Sequence, residues 1–157
     1  MAATTALKLR LLRDDPMPPS AADDPSPCAF GLQDNKDQLH PGALREDGKL
    51  AFDFELRVAT PQEGEEEQPP VFLGPFAFGK PQDRFVYLSW QRTHLPGYLN
   101  RIKARLADIG WPLIREAQES GGVLEADMSG RKAGGGKLPV AWHLTDVPPP
   151  EDEDTQI

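Results

Sequence analysis

Residues 50–59 read Leu-Ala-Phe-Asp-Phe-Glu-Leu-Arg-Val-Ala. Phe52, Phe54, Leu56 and Val58 alternate with Asp53, Glu55 and Arg57. Successive side chains on a strand point to opposite faces, so this order gathers every large apolar group on one side. A helix built from the same residues would scatter them around its axis. The segment therefore predicts a sheet with one packed face and one wet face. A one-sided sheet needs a second layer to cover it.

Other segments repeat the pattern. Leu7, Leu9 and Leu11 alternate with Lys8 and Arg10. Cys28 to Gln33 reads as a second short strand, Val71 to Phe78 as an edge strand or packed turn interrupted by Gly74-Pro75, and Arg84 to Gln91 as a central strand, apolar on both parities. Leu99 to Ile109 fits a helix or a strand; Gly97 and Gly110 bracket it at strand length, and we read it as a strand. A short helix follows to about Ser120, with Pro112 in its first turn and Gly121-Gly122 ending it. Val123 to Met128 and Leu138 to Leu144 complete the set. With 14 glycines and 17 prolines an all-helical bundle is excluded. The predicted fold is mainly β: an antiparallel sandwich or partly open barrel of about seven strands with one short helix. Residues 1–147 form one β-rich domain, and 148–157 form a disordered acidic tail.

Charge narrows the partners. The net charge is −8, which repels polyanions at long range, so no nucleic-acid partner is expected. Acids cluster at Asp14, Asp15, Asp23 and Asp24, at Glu63 and Glu65 to Glu67, and at Glu151 to Asp154. Against this, Lys80, Arg84, Arg92, Arg101, Lys103 and Arg105 face only Asp83 between positions 80 and 105. On charge alone, the strand carrying Arg101, Lys103 and Arg105 is expected beside strands carrying Asp53, Glu55, Glu125 and Asp127. A single cysteine, Cys28, allows no internal disulfide and fits a reducing compartment. It reads as an inert core thiol. No run is long and apolar enough to span a bilayer, and residues 1–13 lack the apolar stretch of a signal peptide. The expected location is the cytoplasm, with no membrane partner.

The stretches Phe30 to Gln33 (FGLQ), Phe52 to Val58 (FDFELRV), Phe72 to Gly79 (FLGPFAFG) and Arg84 to Leu88 (RFVYL) occur in order, followed by RIKARL, IGW and Val123 to Gly130 (VLEADMSG). Together they resemble a family of small bacterial proteins catalogued as a domain of unknown function, over about Leu7 to Leu144. The resemblance implies a bacterial source and a single domain, and it transfers no activity.

Chemical motifs are sparse. Gly130 to Lys137 (GRKAGGGK) misses the phosphate-loop spacing, with Arg131 and Leu138 where Gly and Ser or Thr are required. His40, His94 and His143 are too scattered for a metal site, so neither metal nor cofactor is expected. Tyr87, Trp90, His94 and Tyr98 cluster within twelve residues. Such rings gather where an apolar body meets water. Gln33, an amide ending an apolar strand, needs a partner if buried. The candidate ligand-binding residues are Gln33, Arg84, Tyr87, Trp90 and His94. The expected function is a non-catalytic module binding a small molecule or a protein. The alternative is a small-molecule enzyme with its pocket at the sandwich mouth, using His94 or a carboxylate as general base.

Overall fold

The computed structural model describes residues 4–14, 28–59, 70–81, 83–92, 98–129 and 140–147. The proline-rich stretch, the acidic loop, His94, the glycine-rich turn and the acidic tail lie outside these residues. In chain order the elements are β1 (Thr4–Arg13), β2 (Cys28–Gln33), β3 (Leu39–His40), β4 (Ala43–Leu44), β5 (Leu50–Ala59), β6 (Val71–Leu73), β7 (Phe78–Lys80), β8 (Asp83–Arg92), β9 (Tyr98–Arg105), α1 (Trp111–Ser120), β10 (Val123–Asp127) and β11 (His143–Thr145).

Two sheets form. The first runs β11-β10-β1-β5, with β4 and β6 both pairing the outer edge of β5. The second is centred on β8, which has β9 on one edge and β2 and β7 on the other, with β3 beyond β2. The fold is therefore mainly β and sandwich-like. The chain changes sheets between β3 and β4 at Pro41-Gly42, and again between β6 and β7 at Gly74-Pro75. Gly42 is pressed against Phe52, where a Cβ would lie 2.9 Å from the ring. Gly74 has φ +138°, a backbone state that side chains resist.

The core lies between the sheets. Leu7, Leu9, Leu11, Phe52, Phe54, Leu56, Val58, Leu124 and Ala126 contribute from the first sheet, and Val86, Leu88, Trp90, Ile102 and Ala104 from the second. All are buried. Phe30 on β2 stacks on Trp90 with ring centres 4.2 Å apart and meets Phe52 of the opposite sheet edge-on at 5.2 Å. These three rings join the layers. α1 adds Trp111, Ile114 and Ala117 to the core, at the three-residue spacing of one helical face. It stops at Gly121, whose φ of +74° is the left-handed cap. Gln118 Nε2 ties it to β1 by donating to Ala6 O at 3.0 Å.

Several expectations are corrected. Among the described residues every pairing is antiparallel except β1 with β10, which is parallel. Side-chain alternation is the same in either direction, so the pattern cannot carry strand sense. Among the described residues eleven strands replace about seven, because β3, β4, β6, β7 and β11 have only two or three residues and show no readable alternation. Residues 140–142 are not strand. Val140 N–H donates to Asp108 Oδ2 at 2.8 Å and the Trp142 indole N–H to Arg105 O at 2.9 Å, so this segment is fixed by bonds to the β9–α1 link. The basic strand does not adjoin the acidic ones: β9 lies in the second sheet, whereas β5 and β10 lie in the first.

Trp90 is fully buried, stacked on Phe30 of its own sheet and with Arg13 of β1 5.3 Å from its ring centre. Trp90→Ala should lower the unfolding free energy by about 3–5 kcal/mol in a urea titration, the usual cost of truncating a large core ring.

Candidate functional site

On β8, Val86, Leu88 and Trp90 face the core, so Phe85 and Tyr87 face outward, while Ser89, on the same side, is covered and bonded to Gln33. On β9, Ile102 and Ala104 face the core, so Arg101, Lys103 and Arg105 face outward. The register sets Lys103 beside Tyr87 and Arg105 beside Phe85, while Phe78 on β7 pairs with Phe85 from the other side. The result is a three-strand surface of rings and cations.

The rings form one cluster. Phe78 and Tyr87 have centres 5.2 Å apart, and Phe85 and Tyr87 4.9 Å apart and edge-on. Arg101 Cζ lies 4.9 Å from the Tyr87 ring centre, and Lys103 Nζ lies 4.5 Å from that of Phe85. Both distances suit attraction between a cation and the negative face of a ring. Phe78, Phe85 and Tyr87 are half-buried and Lys103 is exposed. Lys103 and Arg105 form no ion pair among the described residues. Gly79, at φ +93°, lets the Phe85 ring lie against the turn backbone, since a Cβ there would come within 2.7 Å of it.

On the outer face of the first sheet a group of charges around Arg10 and Glu125 is paired. Arg10 Nε donates to Asp53 Oδ1 at 2.6 Å, and its Nη1 lies 2.6 Å from Asp146 and 3.2 Å from Glu125. Glu125, nearly buried, also lies 3.4 Å from Arg45 Nη1 and 3.3 Å from His143 Nε2. Lys49 pairs with Asp127. Burial alone would lower the Arg10 pKa, but the bonds to Asp53, Asp146 and Glu125 raise it overall. Burial likewise pushes the Asp127 carboxyl up, and Lys49 together with the hydrogen bonds from Ser129 more than offsets it. Of the acids expected beside β9, Asp53 and Glu125 pair with Arg10 on β1, Glu125 also with Arg45 and His143, and Asp127 with Lys49. Of the β9 cations, Arg101 lies over the Tyr87 ring and Lys103 over the Phe85 ring.

The five predicted residues separate. Gln33 and Tyr87 lie on adjacent strands of the same sheet. Gln33 is buried, however, and its amide accepts from Ser89 Oγ at 2.8 Å and donates to Asp37 Oδ1 at 3.2 Å. It fastens the β2–β3 turn. Trp90 is on the core side, away from Tyr87. Arg84 sits at the β7–β8 turn, with Nη1 donating to Gly79 O at 3.0 Å. His94 lies outside the described residues. Phe78, Phe85 and the rings' pairing with Arg101 and Lys103 were not singled out from sequence. The signal was present as the outward parity of β8 read beside the outward parity of β9.

Two cavities lie elsewhere. One of about 130 Å³ lies between the start of β1 and the end of α1, lined by Ala6, Lys8 and Gln118 among others. Another of about 360 Å³ lies on the outer face of the first sheet near Lys8, Arg10 and Asp53. Among the described residues no group of three or more His, Cys, Asp or Glu side chains could hold a metal ion, and no helix is long and apolar enough to cross a membrane.

The β2–β3 turn rests on Asp34. Its Oδ2 lies 2.8 Å from His40 Nε2, and its Oδ1 accepts from the N–H groups of Lys36 and Gln38 at 2.9 and 3.0 Å. The His40 bond, then those backbone bonds, hold the Asp34 carboxyl below the ordinary aspartate range. A depressed folded value means the stabilisation is complete above the unfolded value of about 3.9 and is lost as pH falls through the folded one. Asp34→Asn should therefore be less stable than the wild type at neutral pH, and the gap should close below about pH 4 in parallel denaturation curves.

No curated protein and no solved structure matches the chain. One family model matches residues 7–148, which is most of the chain. The chain therefore belongs to the family of unknown function DUF5990.

Proposed function

We propose that this protein is a non-catalytic binding module and that its partner is an acidic segment of another protein, held on the outer face of β7, β8 and β9. One observation carries this reading: the Tyr87 and Phe85 rings lie side by side beneath Arg101 and Lys103 on an outward sheet face. Half-buried rings supply apolar contact at low entropy cost, and cations already seated on them meet carboxylates with little reordering.

An outward sheet face of rings and cations suits an extended protein segment, whereas small-molecule sites are typically concave. Charge favours an acidic protein segment over a nucleic acid. The same rings and cations would suit stacked bases, but a net charge of −8 opposes a polyphosphate, charged at every nucleotide, more than a short acidic segment. The enzyme reading needs a concave pocket at the sandwich mouth holding a titratable group near Tyr87 or Trp90; the Trp90 ring is fully buried against Phe30, which leaves Tyr87 as the residue such a pocket would adjoin.

A fluorescein-labelled decapeptide of alternating glutamate and tyrosine is the direct probe, followed by anisotropy at low salt. Lys103→Glu should weaken binding by about tenfold or more, equivalent to about 1.4 kcal/mol. Gly79→Ala should weaken it too, by displacing the Phe85 ring while leaving every charge in place. Affinity unchanged in both variants would overturn the reading. So would tighter binding of a ten-nucleotide oligothymidine than of the peptide.

A further inference from the structure

Among the described residues, six strands have a neighbour on one side alone. Of these, β3, β4, β6, β7 and β11 have two or three residues each, whereas β9 has eight. A long edge strand presents a row of backbone groups to which another chain can pair. Register shows which groups of β9 point along that edge. The Leu106 N–H donates to Arg84 O at 2.9 Å, just past the Phe85–Arg105 pair. In an antiparallel ladder this marks Phe85 and Arg105 as a pair that exchanges no bond, so the Arg105 N–H and C=O point away from β8. The alternation repeats every second residue, and the register is regular from Phe85 to Ser89. Lys103, opposite Tyr87, is therefore turned the same way, and its N–H and C=O have no hydrogen-bond partner among the described residues. The chain itself already bonds to this edge, because the Trp142 indole N–H donates to Arg105 O at 2.9 Å.

The residues whose backbone faces the edge, Lys103 and Arg105, also carry outward cations, so backbone and side chain select the same partner. A strand added beside β9 sets its alternate side chains next to Lys103 and Arg105 on the outward face. Opposite charges in such cross-strand positions attract, and like charges repel. A second copy of β9 would bring cations against cations, whereas an acidic segment brings carboxylates. Lys8 is exposed too, but β1 is bonded on both edges, to β5 and β10, and offers no such row. We propose that the acidic partner binds by strand addition. It lies along the outer edge of β9, exchanges backbone hydrogen bonds with Lys103, places a carboxylate beside the Lys103 ammonium and extends the outward face by one strand. This rests on the binding reading above and deepens it: main-chain bonds supply affinity, and the cations choose the sequence.

The test uses the full chain with the glutamate–tyrosine decapeptide and two forms of it, N-methylated on the glutamates or on the tyrosines. Each form keeps every side chain and removes the backbone donors of one alternate set. One form should bind about tenfold or more weakly than the parent and the other about as well, because only one set of N–H groups faces β9. Saturating parent peptide should also slow hydrogen exchange of the Lys103 amide by about tenfold or more. Binding that falls with Lys103→Glu but responds alike to both methylated forms, with Lys103 exchange unchanged, overturns strand addition and leaves the binding face intact. No binding of the parent peptide overturns both. A Lys103 amide already protected in the protein alone means that the edge is occupied. Protection at every protein concentration assigns it to the chain itself, and protection rising with concentration assigns it to a second copy. Either result overturns the proposal.

Discussion

Two sheets pressed together through Phe30, Phe52 and Trp90 are the constraint on which the rest depends. The contact joins β2 and β8 of one layer to β5 of the other. It commits Val86, Leu88 and Trp90 inward, and the chain's alternation then commits Phe85 and Tyr87 outward. The outward rings are thus a consequence of core packing. The same logic turns Asp53, Glu125 and Arg10 outward on the opposite sheet, where adjacent strands bring them within bonding distance.

The two wet faces end up with different electrostatics. On the first sheet, Arg10 stands directly between Asp53 and Glu125 in the ladder, so these charges are paired within the sheet. On the second, β9 has β8 as its neighbour, and β8 offers rings where β5 or β10 would offer carboxylates. Cations on rings keep much of their reach for an outside anion, because a quadrupole does not cancel a charge. Strand order, rather than composition, creates the face proposed here for binding.

Legibility follows the range of each interaction. The periodicity of residues 50–59 and of Leu7 to Leu11 placed β5 and β1 and their core sides, and Pro112 with Gly121 placed α1. Gln33 was identified as a residue needing a partner, which it finds in Ser89, 56 positions away. Tyr87 belongs to the candidate face, but Trp90, three residues on, belongs to the core, since an odd step along a strand reverses the face. Charge counting put Arg101, Lys103 and Arg105 beside acids, because charge alone ignores which strand is the neighbour. The segment at 140–142 looks like strand by alternation, yet side-chain bonds to Asp108 and Arg105 take the place of a ladder.

By itself, then, the amino-acid order determined the local facts: which stretches are extended, which side of each is oily, where the helix begins and stops, and that the chain is mainly β. Those follow from interactions between residues a few positions apart. Only the tertiary structure decided which strand lies beside which, that β1 and β10 run in the same direction, that Gly42 and Gly74 mark the crossings between sheets, and that Lys103 sits on Phe85 rather than on an acid. Those depend on contacts between distant residues, set by how two layers can bury their apolar faces together, and no local pattern encodes them.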